Sequence, residues 1–191
     1  MKAKILLVGL VVFLATSGST CINDTIIYPL DLKLPADFTV NPGSTYNSSV
    51  YVLLDTLVDE QYREDIKDAR FYDIQIFVSG TYTGTVSGNA SIRWGNMATS
   101  QVVCTYSGPW SAFQAPQSIL SGSPYITPVT AGMNSFRDFL KSAATGMAFG
   151  QFSAAGSLSP ASTTQLQIHV RYLGQVDAII KSGDGDDGTE P

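Results

Sequence analysis

Residues 70–94 read RFYDIQIFVSGTYTGTVSGNASIRW, and their periodicity decides the fold class. Ile74, Ile76 and Val78 alternate with Asp73, Gln75 and Phe77 until Gly80 interrupts the pattern. Beyond it, Tyr82, Gly84, Val86, Gly88, Ala90, Ile92 and Trp94 hold the even positions. Thr81, Thr83, Thr85, Ser87, Asn89, Ser91 and Arg93 hold the odd ones. Successive side chains of a strand point to opposite faces, so this period of two gives one apolar-to-small face and one hydroxyl-rich face. The segment predicts two strands, or one long bent ribbon, in the middle of an antiparallel sheet.

The flanking chain repeats the pattern. Leu30, Leu32 and Leu34 alternate with Asp31 and Lys33 up to Pro35, which is expected to stop the ladder, and Asn41-Pro42-Gly43-Ser44 predicts a turn. A strand over residues 46–57 follows, with Val50, Val52 and Leu54 on one side. In DEQYREDIKDAR (59–70), Tyr62, Ile66 and Ala69 fall on one helical face, which predicts a short helix or a polar crossing. Residues 101–106 and 147–158 read as strands, and a helical turn fits 115–120. A helix is expected at 134–144, capped by Asn134 or Ser135, buried through Phe136, Phe139, Leu140 and Ala143, and closed by Gly146. Leu166, Ile168, Val170 and Tyr172 form the last clear strand, broken at Gly174. Many short strands with turn signals and one helix predict an all-β antiparallel sandwich, of which the immunoglobulin type is one form; a closed barrel is the alternative.

The N-terminus reads as an export signal. Lys2 and Lys4 precede an apolar run from Ile5 to Ala15, then small residues, then Cys21. The run is too short to span a bilayer, which takes about 20 apolar residues. The arrangement resembles the bacterial lipoprotein class of signal, whose first mature residue is a cysteine that becomes lipidated. The resemblance covers residues 1–21 and implies acylation of Cys21 and anchorage in a membrane; Ile22 after the cysteine implies the outer membrane or cell surface. Ordinary cleavage among Thr16–Thr20, giving a secreted or periplasmic soluble protein, is the alternative. The expected organisation is a signal at 1–20, a tether at 21–28, the sandwich at 29–181 and a disordered acidic tail at 182–191.

Loss of Lys2 and Lys4 with the leader leaves nine basic residues against sixteen acids, a formal charge of −7. A chain so charged has no basic stripe for nucleic acid, and it approaches anionic headgroups only through a covalent anchor. The two cysteines, Cys21 and Cys104, have neither metal nor redox spacing; Cys104 is a buried thiol if Cys21 carries lipid, or its disulfide partner if not. No metal or cofactor is expected, since one histidine and two cysteines are too few for a zinc site.

Four groups could carry function. The aromatic set Trp94, Tyr106, Trp110, Phe113 and Tyr125, on or near the loosest connection, offers rings for a carbohydrate or peptide ligand. The hydroxyl row Thr81, Thr83, Thr85 and Ser87 resembles the Thr-x-Thr rows of ice-binding proteins, although those repeat over many strands. His169, the one histidine, lies mid-strand without a Gly-x-Ser-x-Gly elbow, so it reads as a solvent-facing strand residue and the chain as non-enzymatic. Asp184, Asp186, Asp187 and Glu190 in the tail, like the ridge Glu60, Glu64 and Asp68, read as solvated acids rather than a calcium loop. The expectation is a cell-envelope lipoprotein that binds or supports a partner, with a secreted carbohydrate- or peptide-binding module as the alternative and a hydrolase behind both.

Overall fold

The computed structural model of the chain describes residues 26–53, 66–142 and 149–180. The signal, Cys21, Glu60, Glu64 and the acidic tail lie outside these residues. Among the described residues nine strands form two sheets: β1 (Ile26–Val40), β2 (Gly43–Leu53), β3 (Ile66–Ser79), β4 (Thr85–Trp94), β5 (Gln101–Pro109), β6 (Gln117–Ser118), β7 (Ile126–Pro128), β8 (Phe149–Ser162) and β9 (Leu166–Ile180). One sheet has the order β1-β9-β3-β6 and the other β2-β8-β4-β5-β7. A 3-10 turn (Trp110–Gln114) follows β5, and the helix α1 (Thr130–Lys141) precedes β8.

The expected sandwich is therefore what forms, with open edges at β1, β6, β2 and β7 rather than a closed barrel. Its strand order is not that of the immunoglobulin fold, in which the first two strands pair. Here β1 pairs with β9 and β2 with β8, and the chain crosses between the sheets at each step from β1 to β4. With the short β7 set aside, eight strands wind as a jelly roll. The same winding corrects the ribbon expected over 70–94. The break at Gly80, at φ +104°, sends β3 into one sheet and β4 into the other.

β1 shows why the chain folds so. From Asp31 to Val40 every even residue is buried and every odd one exposed, straight through Pro35. β1 is an edge strand, and there a proline without an N–H need not end the strand. Its inward Leu32, Leu34 and Phe38 join Ile74, Ile76, Ile168 and Val170 from its sheet-mates in one core. The opposite sheet answers with small residues. Gly88 and Gly156 are in register on β4 and β8, and a Cβ on either would collide with the Tyr46 hydroxyl. The phenol lies in the space they leave, donating to Ser87 O (3.0 Å) and sharing a 2.8 Å hydrogen bond with Tyr106. Burial pushes the Tyr46 pKa up to about 12 and that of Tyr106 well above its ordinary value.

α1 begins four residues before its expected start, with Val129 in the cap position and no side-chain cap. Of its expected stripe, Phe136, Phe139 and Leu140 are buried, while Ala143 and the expected end at Gly146 lie outside the described residues. Phe136 packs on Tyr172 (5.2 Å between ring centres) and Phe152 (5.9 Å), and Phe139 on Phe152 (6.0 Å). Gly132 is required where α1 crosses β5, since a Cβ there would overlap the Val102 carbonyl. Three local expectations fail. Residues 66–70 open β3 instead of ending a helix, 117–118 pair with β3 as a strand, and Gly174 lies within an unbroken β9. In each case pairing across the sheet overrides the local pattern.

Candidate functional site

The aromatic set does not assemble into one platform. Trp110 and Phe113 are fully buried, and Tyr106 nearly so. The Trp110 indole donates to Gly80 O (3.1 Å) and meets Tyr82 edge-on at 5.4 Å, pinning the 3-10 turn beneath the β3–β4 crossing. Phe113 stands between Tyr106 (6.2 Å) and Tyr125 (5.8 Å). Trp94 lies apart, against Phe139 at 6.1 Å, its indole donating to Ser135 Oγ (3.1 Å) on α1. Trp94 and Tyr125 keep part of their surface in solvent, so they are the members able to meet a ligand.

His169 is better connected than its sequence context implied. On the outward side of the four-stranded sheet its Nδ1 lies 2.7 Å from Asp37 Oδ1 on β1, and its Nε2 lies 2.9 Å from Ser79 Oγ on β3. The carboxylate accepts, so Nδ1 donates to it; in a neutral ring Nε2 then accepts from the serine hydroxyl. Its ring stacks on Phe77 at 4.5 Å, and the Arg171 guanidinium lies over the Phe77 ring at 4.4 Å. The order hydroxyl, imidazole, carboxylate is that of a nucleophile–base–orienter row. It comes from three neighbouring strands and is visible only once β1, β9 and β3 are in register. A cleft of about 300 Å³ lies elsewhere, between the start of β3 and α1, lined by Asp68, Arg70, Phe71, Met133, Asn134 and Arg137. Among the described residues, no group of three or more His, Cys, Asp or Glu side chains could hold a metal ion. Cys104 is a free thiol buried on the inner side of β5, its pKa pushed up to about 12 by burial.

The hydroxyl row of β4 is one column of a wider array. Across the five-stranded sheet, Thr45, Ser157, Ser87 and Ser107 stand in register, and beside them Asn47, Ala155, Asn89, Thr105 and Thr127. A third row holds Ser49, Ser153 and Ser91, the last nearly covered. Their chain neighbours Tyr46, Phe152, Ala154, Val86, Ala90 and Tyr106 are buried, which turns these side chains outward. Ser87 Oγ and Ser157 Oγ are hydrogen-bonded at 3.0 Å. Towards one end the rows change character: Tyr51, Gln151 and Arg93 align, and Leu53 faces Phe149. Tyr51 and Phe149 are 67% and 48% exposed. Thr81 and Thr83 precede β4 and stand outside the array.

Comparison with known proteins places this chain in no family: no family model and no curated protein matches it. Solved structures of three viruses share part of its outline. That of Desmodium yellow mottle tymovirus has a TM-score of 0.30 at 11% identity, covering 86% of this chain and 97% of that one. For turnip yellow mosaic virus the values are 0.28, 11%, 86% and 89%. For infectious bursal disease virus, Gx strain, they are 0.25, 12%, 85% and 33%. Overlap at this level bears on nothing further.

Proposed function

We propose that this protein is an exported, lipid-tethered jelly-roll module without enzymatic activity, which engages its partner through the outward face of the five-stranded sheet. The address rests on the leader: Lys2 and Lys4, the apolar run to Ala15, and Cys21. The mode of action rests on one structural observation, a field of short hydroxyl and amide side chains in register over four or five strands. Stable attachment takes more than one acyl chain, as the lipoprotein class of signal implies. Mass spectrometry of the N-terminal peptide from membrane fractions is expected to show diacylglycerol on Cys21, and Cys21→Ser to release the protein. A leader still attached, or an unmodified Cys21 on a soluble chain, would overturn the reading.

The Asp37–His169–Ser79 row favours a second reading, an esterase-like hydrolase. Ser79 Oγ would attack an ester carbonyl while its proton passes to His169 Nε2. The alcohol would leave with that proton, and water would then release the acid from the acyl-serine. Stoichiometric labelling of Ser79 by a fluorophosphonate, abolished in His169→Ala, would establish it. An unlabelled serine leaves the row as a cross-strand hydrogen-bond chain.

A further inference from the structure

We infer that the outward face of the five-stranded sheet is a binding site for a neutral polysaccharide chain, with Tyr51 and Phe149 as its stacking end. This deepens the proposed function and rests on that face being the one presented.

The first argument is charge. Among the sequences of β2, β4, β5, β7 and β8, Arg93 is the single charged residue. The acids that make the chain anionic lie elsewhere, so the face repels no neutral ligand and attracts an anionic polymer with one arginine alone. A neutral, hydroxyl-bearing polymer is its complement.

The second argument is chemistry. Hydroxyls and carboxamides donate and accept, as sugar hydroxyls do, and Ser, Thr and Asn lose little rotamer freedom when a ligand orders them. Such a grid alone would also suit ordered water. The end of the array differs: an aromatic ring offers a flat apolar face to the C–H side of a pyranose, and two rings stand there in solvent. Phe149 is the diagonal neighbour of Tyr51 across the β2–β8 pair, close enough for one ligand to touch both. Gln151 and Arg93 extend the Tyr51 row, supplying planar donors beside the rings, and the Gln151 amide donates to Ser49 Oγ at 3.2 Å. Rows about 4.8 Å apart across strands and about 6.7 Å along them give a chain repeated contacts without a pocket.

The test is retardation of the full mature protein in native gels containing laminarin, hydroxyethyl cellulose, glucomannan or xylan, with alginate as the anionic comparison. At least one neutral polymer is expected to retard the wild type. Tyr51→Ala should weaken that effect roughly tenfold, as loss of an aromatic anchor does. Ala155→Lys, in the middle of the grid, should weaken it without altering the thermal midpoint. Both side chains point to solvent, so neither change threatens folding. No retardation by any neutral polymer, retardation by alginate alone, or retardation that both variants leave intact would each overturn the inference. A chain that carries lipid on Cys21 yet fails here loses the ligand class and keeps the tethered-module reading.

Discussion

The two sheets share one core and have opposite exteriors. The strands β1, β3 and β9 carry nine charged residues and the histidine, whereas the five strands of the other sheet carry Arg93 alone. Inside, both sheets supply branched aliphatics and aromatics, and the neutral one adds the paired glycines Gly88 and Gly156 that make room for Tyr46. A sandwich fixes only its inner faces, since these must fill a common volume. The outer faces are free to diverge, so the divergence points to use rather than folding. Charge on an exposed sheet keeps it soluble and unpaired. A wide neutral face gives up that protection, which makes it the side where a partner is to be sought.

The strongest way to break this contrast is to treat the inner side of the neutral sheet like its outer side. Gly156→Ala drives a methyl group into Ser87 O and the Tyr46 hydroxyl, and is expected to destabilise by about 3 kcal/mol in urea unfolding. Ala155→Lys, one residue away but outward, should stay within about 0.5 kcal/mol of wild type. Equal losses at both positions would mean that the face is packed against something.

Of the two buried carboxylates of the charged sheet, Asp177 pairs with Arg70 and Asp73 ties a loop to its strand. Asp73 accepts from the Ser118 hydroxyl (2.8 Å), Leu120 N–H (3.1 Å) and Gln75 Nε2 (3.2 Å), fastening β6 and its loop to β3. Asp73→Ala strands those donors and should cost about 2–3 kcal/mol. Buried phenols respond on the alkaline side. With folded pKa values raised, Tyr46, Tyr106 and Tyr172 keep their protons in the fold while the unfolded chain gives them up near pH 10. Their contribution is therefore complete below about pH 10 and is lost as pH rises towards the folded values, by about 1.4 kcal/mol per pH unit for each phenol. A urea midpoint unchanged from pH 9 to 11 would contradict their burial. Tyr172→Phe goes the other way: its hydroxyl is buried with no hydrogen-bond partner among the described residues, so removing it should stabilise by about 1 kcal/mol.

The fold was legible in the chain where one residue decides its own environment. Alternation along residues 70–94 and 166–172 marked strands correctly, and Phe136, Phe139 and Leu140 marked the helix. What stayed hidden depends on register between distant segments. Nothing near Pro35 says that its strand will lie at an edge, and nothing near Trp110 says that its indole will reach Gly80 O. Burial of Trp110 and Phe113 defeats the idea that rings clustered in sequence mark a surface. Tyr51 and Phe149, ninety-eight residues apart, meet only through the β2–β8 ladder. One signal was available: no charged residue occurs between Trp94 and Phe136, nor between Ser142 and Val170. Runs so long without charge, alternating with hydroxyls, point to a neutral sheet.

The smallest expected effect asks whether charge on the other sheet stabilises the fold or only solvates it. Lys141 at the end of α1 holds Asp68 at the start of β3 (2.7 Å), and Ala69 N–H donates to the same oxygen at 2.8 Å. Lys141 first, then that backbone N–H, lowers the Asp68 pKa. A depressed carboxylate contributes stability that is present above its unfolded pKa of about 3.9 and is lost as pH falls through the folded value. Both side chains are well exposed, so water and salt screen the pair and its share is about 0.5 kcal/mol. Lys141→Met should therefore lower the urea midpoint slightly near pH 6, and the deficit should vanish near pH 2 or in molar salt. A deficit that persists under both conditions would assign Lys141 a packing role through its aliphatic stem. A deficit that vanishes supports the view that the charged face contributes solubility, while the fold rests on the apolar core that the two sheets share.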